Sequence, residues 1–90
     1  MIPRISYLEI LPNLRIKVRF DDNRTVIYDV SEDVHDIPSY APLETLTGLF
    51  SQAKLDQSRT VVYWNDEIDL PSDIIYEFGQ ELTPASDKSY

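Results

Sequence analysis

Two groups of residues in the sequence have the types that do chemistry. The single histidine, His35, lies among Asp29, Glu32, Asp33 and Asp36, a mixture of imidazole and carboxylates that suits a metal ion. Downstream, Asp66, Glu67, Asp69 and Asp73 crowd together near Tyr63 and Tyr76, a density that suits an acid/base pair. Metal ligation needs donors converging at fixed distances, and "SEDVHDIPSYA" lacks the glycine-containing pattern of a calcium loop, so it reads as a solvated surface connection. Hydrolytic carboxylate pairs need a cleft and perturbed protonation, whereas turn, strand and helix-start positions account for all four downstream acids. Ser-His-Asp chemistry fails for want of a nucleophile-elbow glycine pattern, and no glycine loop is built to cradle phosphate. No catalytic residue, metal ligand or cofactor site is assigned, and the expectation is a protein that is not an enzyme.

A third group could bind rather than react. In "LRIKVRFDDNRTVIYDV", Leu14, Ile16, Val18 and Phe20 alternate with Arg15, Lys17 and Arg19, the period-two signature of a strand with one buried and one wet face. Lys17 and Arg19, flanked by Tyr7, have the chemistry to meet phosphate or RNA bases. The net charge of −8 opposes that, because an acidic protein repels nucleic acid and attracts a basic protein. The charge is uneven: residues 1–24 hold five basic and three acidic side chains, residues 25–90 three and thirteen. Trp64 is an interface anchor if exposed and a core residue if covered, and coverage by the terminal helix is the preferred reading. Tyr7, Lys17, Arg19, Ile27 and Trp64 are therefore the candidate binding residues.

The elements that position them follow from parity. A two-residue loop after Phe20 would set Ile16 against Asp29 and bury a carboxylate; a three-residue loop of Asp21, Asp22 and Asn23 sets Val18 against Val26 and Ile16 against Tyr28. The three-residue loop is expected, with Asn23 in the left-handed region that Asn tolerates. Upstream, a turn at Leu11, Pro12 and Asn13 pairs Leu8 with Ile16 and Glu9 with Arg15, leaving Lys17 and Arg19 beside Tyr7, Ile5 and Ile27. "PLETLTGLF" predicts a short helix from Pro42. "AKLD", "TVVYW" and "EIDL" predict strands, the last two joined by a tight turn at Asn65 and Asp66, with Val61 and Tyr63 facing the core beside Leu70 and Ile68. "PSDIIYEFGQE" predicts a closing helix from Pro71 that stops near Gly79.

Ninety residues make one domain with one small core. The expected class is α+β: a small antiparallel meander of about five to six strands with two short helices, in a domain over residues 1–81 followed by a flexible tail, 82–90. The absence of cysteine excludes disulfides and thiolate zinc sites and fits a reducing compartment. "MIPRISYLEI" lacks signal-peptide character, and no apolar run approaches a membrane span; the expected location is the cytoplasm.

"LPNLRIKVRFDDNRTVIYDVS", "YAPLETLTGLFSQAKLD" and "TVVYWNDEIDLPSDIIYEF" together resemble the uncharacterised bacterial domain family DUF2442, from about Ile5 to Phe78. Family members often carry Asp-Gly or Asn-Gly where this chain has Asp22-Asn23 and Asn65-Asp66. The resemblance implies a small α+β domain, sometimes fused to a helix-turn-helix domain that has no counterpart here. It also implies a gene beside that of another small protein, which suggests toxin–antitoxin pairing. No catalytic residues come with it. The leading expectation is a protein-interaction module that binds a partner protein, a basic one by charge, or itself through an apolar-aromatic sheet face, with a small carboxylate/tyrosine enzyme and a nucleic-acid-associated regulator as the alternatives.

Overall fold

A computed structural model of the protein describes residues 2–46, 48–65 and 67–82. Four strands, β1 (Ile5–Leu11), β2 (Arg15–Phe20), β3 (Thr25–Asp29) and β7 (Gln80–Leu82), form one antiparallel sheet in the order β1-β2-β3-β7. A second antiparallel sheet holds β4 (Lys54–Leu55), β5 (Val61–Tyr63) and β6 (Asp69–Pro71). Three short helices, α1 (Ser31–Asp36), α2 (Pro42–Thr45) and α3 (Ser72–Phe78), are joined by 3-10 turns at Pro38–Tyr40 and Phe50–Gln52. The class is α+β as expected, but the strands divide between two sheets instead of one meander.

The β2–β3 hairpin has the register that carboxylate burial dictates: Val18 faces Val26, Ile16 faces Tyr28 and Arg15 faces Asp29. The amide of Phe20 donates to the Arg24 carbonyl at 2.8 Å, closing a loop of residues 21–23 with Asn23 at φ 71°. The β1–β2 turn lies one residue later than expected. Leu8 faces Val18, and Glu9 faces Lys17 instead of Arg15. The two candidate turns share parity, so hydrophobic pattern does not separate them. The observed one puts Pro12 first in the loop, where its preset φ is an asset, and sends Asn13 and Leu14 to positive φ of 64° and 59°. A bulge between Ile5 and Tyr7 is a second departure: it turns Ile5 into the core at 0% exposure, away from the wet face on which Tyr7 lies.

The β5–β6 connection is also one residue longer than the tight turn expected. Val62 faces Leu70 and the Trp64 amide donates to the Ile68 carbonyl at 2.9 Å, so Val62, Trp64, Ile68 and Leu70 face the core while Val61 and Tyr63 turn away half-buried. The Asn65 side-chain oxygen accepts from the amides of Glu67 and Ile68 at 2.8 and 2.9 Å, an Asx turn that sets the longer loop. Both parities bury apolar pairs here, so the test that decided the first hairpin had no discriminating carboxylate.

"SEDVHD" is helical rather than a plain connection: Val34 is buried, and the Asp29 carboxylate accepts from the Ser31 amide at 3.0 Å, satisfying a donor at the helix start. The "PLETLTGLF" helix is limited to α2, with Gly48 at φ +84° beyond it. The closing helix stops at Gly79 as expected, and beyond it the chain becomes extended and pairs with β3 as β7, a strand the sequence did not suggest. Of the expected tail, Leu82 ends β7 and residues 83–90 lie outside the described residues.

The inner face of the larger sheet (Ile16, Val18, Phe20, Val26, Tyr28) and the buried face of the smaller sheet feed one core, closed by Ile75 of α3, Val34 of α1 and Leu43 of α2. Ser72 is the buried polar residue of this core; its hydroxyl donates to the Pro3 carbonyl at 2.6 Å. Arg59 links the sheets by a two-pronged ion pair with Asp21 at 2.8 and 2.9 Å and a further bond to the Ile5 carbonyl. The Arg59 hydrogen bonds hold the Asp21 carboxyl below its ordinary 3.8, as the Ser58 hydroxyl does first among several donors for Asp56. Carboxylates whose folded-state values are lowered contribute stability that is present above pH 3.8 and lost as the pH falls through the lowered values. The Asp21→Asn variant is accordingly expected to show a flatter acid limb in a plot of Tm against pH, and an unchanged limb would contradict this assignment.

Candidate interaction surface

The outer face of the four-stranded sheet is built from the residues that alternate with the core. Cross-strand neighbours form three rows: Tyr7, Arg19 and Thr25; Glu9, Lys17 and Ile27; Leu11, Arg15 and Asp29. None of these side chains is buried, and Tyr7 is 53% exposed. The structure therefore brings Tyr7, Lys17, Arg19 and Ile27 together on one open patch. Glu9 lies across from Lys17 and Asp29 across from Arg15, which offsets part of the stripe's positive charge, while Arg19 lies between Tyr7 and Thr25. Trp64 does not join the patch. It belongs to the other sheet, is only 5% exposed, and stacks on Phe50 at 5.7 Å while its indole Nε1–H donates to the Phe50 carbonyl at 2.9 Å. The 3-10 turn at Phe50–Gln52 covers it, where the closing helix was expected to, and burial removes it from the candidate anchors.

Ile27 also borders a groove that the sequence did not reveal. β7 pairs with β3 only along Thr25–Ile27, and where it stops a recess of about 620 Å³ opens between β3, α1 and α3. Ile27, Ile74 and Phe78 supply apolar lining; Asp29, Glu32 and Asp33 supply carboxylates, which outnumber the one cation there, Arg15. Phe78 is 68% exposed, the most exposed large apolar side chain described. A usable signal was present: Ile74 and Phe78 are four apart on α3, one ridge, while Ile75 is the apolar side chain of α3 that is fully buried.

At the groove, the Tyr28 hydroxyl donates to Asp33 Oδ2 at 2.6 Å. Burial first, and this bond second, push the Tyr28 phenol above its ordinary 10.0. Burial likewise raises Tyr40, whose hydroxyl donates to the Asp69 carbonyl, to about 12. Phenols with raised values in the folded state contribute stability that is intact below pH 10 and lost as the pH climbs through the folded values. Spectrophotometric titration is expected to show these two rings ionising together with unfolding. Tyr28→Phe/Tyr40→Phe should remove that late phase, and its persistence in the double variant would contradict the assignment.

A second recess, of about 930 Å³, lies on the other side of α3, lined in part by Phe20, Asp22, Arg24 and Tyr76. The Tyr76 hydroxyl donates to Asp22 Oδ2 at 2.6 Å, and the Arg24 guanidinium lies 4.6 Å from the ring centroid while pairing with Glu81 at 2.5 Å. The Tyr76 bond holds the Asp22 carboxyl below its ordinary value, and Asp22 raises the Tyr76 phenol. Both shifts lead away from neutrality, the reverse of what acid/base work near pH 7 requires. Of the downstream carboxylates Asp73, in the first turn of α3, lines this recess, whereas Glu67 lies in the β5–β6 turn and Asp69 on β6, and Asp66 lies outside the described residues. His35 is exposed in the last turn of α1. Among the described residues, no group of three or more His, Asp or Glu side chains is placed to hold a metal ion. Nor is any helix long and apolar enough to cross a membrane.

The fold and its open surfaces define a small α+β domain of two antiparallel sheets. The chain belongs to the family described as "Protein of unknown function (DUF2442)", which matches over residues 5–81. Comparison with curated proteins and with solved structures finds no match.

Proposed function

We propose that this domain is a non-enzymatic protein-interaction module, the acidic member of a pair with a small basic protein, in the manner of a toxin–antitoxin couple. The observation that carries the reading is the meeting, at Ile27, of an open sheet face with a groove that sets Asp29, Glu32 and Asp33 beside Ile74 and Phe78. Apolar surface in a recess supplies affinity, and surrounding charge steers a partner of opposite sign. A segment carrying Lys or Arg next to apolar side chains fits both requirements. The net charge of −8 adds a long-range attraction that salt screens.

Against the enzyme alternative stands the scatter of the downstream carboxylates, with Glu67 in a turn, Asp69 on β6 and Asp73 on α3. Against the nucleic-acid alternative stand the net charge of −8 and the carboxylates of Glu9 and Asp29, which sit across the strands from Lys17 and Arg15; a gel shift at low salt is expected to show no retarded band. The direct experiment is co-expression with the product of the adjacent gene. The expected result is a complex that survives purification, weakens as salt rises, and is lost in Ile27→Asp/Phe78→Asp. No association at low salt, or a complex indifferent to those substitutions, would overturn the reading.

A further inference from the structure

We infer that two copies of this chain associate through β1, edge to edge and antiparallel, joining their four-stranded sheets into one. The β1 edge lies across the sheet from the groove, so this goes beyond partner docking and is separately testable.

The backbone pattern supplies the first argument. The Phe20 amide donates to the Arg24 carbonyl, and the Val30 amide donates to the Leu14 carbonyl, each at 2.8 Å. Because hydrogen-bonded and non-bonded pairs alternate along an antiparallel ladder, the even-numbered residues of β2 bond to β3 and Arg15, Lys17 and Arg19 bond to β1. Their partners on β1 are Leu11, Glu9 and Tyr7. The amides and carbonyls of Leu8 and Ile10 therefore point away from the sheet, and among the described residues no backbone group meets their amides. An unpaired edge of this kind is a template for another strand.

The side chains supply the second. β1 reads ISYLEIL, with no lysine, arginine or proline, the residues that commonly guard edges. Leu8 and Ile10 face the core side but stay only half-buried, and Tyr7 is 53% exposed. A second strand laid alongside covers these together.

Charge selects the register. Centred on Leu8, the pairing sets Leu8 against its own copy, the backbone of Ile10 against that of Ser6, and Glu9 against Tyr7. Centred on Glu9, it would set two carboxylates directly opposite, which is destabilising. Centred on Tyr7, it would run into the bulge between Ile5 and Tyr7. The Leu8 register uses the same strand of both copies, so it closes as a two-fold dimer and does not propagate. The bulge at one end and Pro12 at the other confine it to the middle of the strand. Each copy carries a net charge of −8, so the dimer should strengthen with added salt, opposite in sign to binding of a basic partner.

The test is sedimentation velocity on the full chain from micromolar to millimolar concentration, at low and high salt, with amide exchange followed by NMR. The expected result is a monomer–dimer equilibrium shifted toward dimer by salt, in which exchange at Leu8 and Ile10 slows at least about tenfold as dimer forms. Tyr7→Glu, which sets like charges across the seam on a residue exposed in the monomer, should weaken the dimer about tenfold or more with far-ultraviolet circular dichroism unchanged. Ile10→Pro, which removes an outward-facing donor that the monomer does not use, should abolish it. A chain that stays monomeric throughout would overturn the inference, as would a dimer whose Leu8 and Ile10 amides exchange as fast as in the monomer. Should Ile10→Pro unfold, Tyr7→Glu and the wild-type exchange rates still decide.

Discussion

Trp64→Ala is expected to destabilise the domain by about 3–5 kcal/mol, the range for deleting a buried large aromatic side chain. The indole is held on three counts. It sits on the inner face of the smaller sheet beside Val62, Ile68 and Leu70, its ring stacks on Phe50, and its N–H satisfies the Phe50 carbonyl. Removal leaves a cavity, an unpaired carbonyl, and a 3-10 turn with nothing to lie against. A domain of this size loses roughly 4–8 °C of Tm per kcal/mol, and total stabilities run about 5–15 kcal/mol, so the variant should lie near the edge of folding. Trp64→Phe separates the contributions. It keeps most of the apolar contact and forfeits the hydrogen bond, for about 1–2 kcal/mol. Thermal or urea unfolding of the three proteins checks the order, and a Trp64→Ala variant within 1 kcal/mol of wild type, on the scale given above, would show that the ring is not core.

Gly79→Ala is the second large effect, expected at about 1–3 kcal/mol from overpacking. The backbone at Gly79, φ −70° and ψ 156°, is open to any residue, so the reason for glycine is space. A Cβ there would lie 2.6 Å from the Ile75 carbonyl oxygen and 3.0 Å from Val26 Cγ2, contacts closer than packed atoms tolerate. The oxygen is fixed because the Gly79 amide donates to it at 2.9 Å, so α3 or β7 has to move. Gln80 follows directly and pairs with Ile27, and Phe78 precedes. The substitution is thus expected to disturb the groove as well as the core: faster amide exchange along β7 and weaker partner binding, measured by hydrogen exchange and titration. Unchanged β7 protection would contradict the close-packing account.

The sequence reading reached furthest where one polar residue distinguished the options. At β2–β3, only one loop length kept Asp29 out of the core, and that loop is present. Where both choices were apolar the same reasoning was blind: the β5–β6 loop is set by the Asn65 side chain, and the β1–β2 turn by the conformation Pro12 prefers. The bulge that swings Ile5 inward has no period-two signature at all. α1 was hidden because its acidic composition suggested a connection, while its one buried residue, Val34, carries too little periodicity to register. For the same reason β7, three exposed residues held by strand pairing and the Arg24–Glu81 ion pair, could not be foreseen. Of the surface, Tyr7, Lys17, Arg19 and Ile27 followed from strand parity. The groove did not, since Phe78 and Glu32 are brought to Ile27 only by tertiary packing.

The groove and the adjoining sheet face are the heart of the functional account, and chemical-shift mapping interrogates them directly. In a titration of the isotope-labelled domain with the adjacent gene's product, the largest perturbations are predicted at Ile27, Asp29, Glu32, Ile74 and Phe78, extending onto Lys17 and Arg19. Perturbations concentrated instead on β4–β6, or none at saturating partner and low salt, would contradict it.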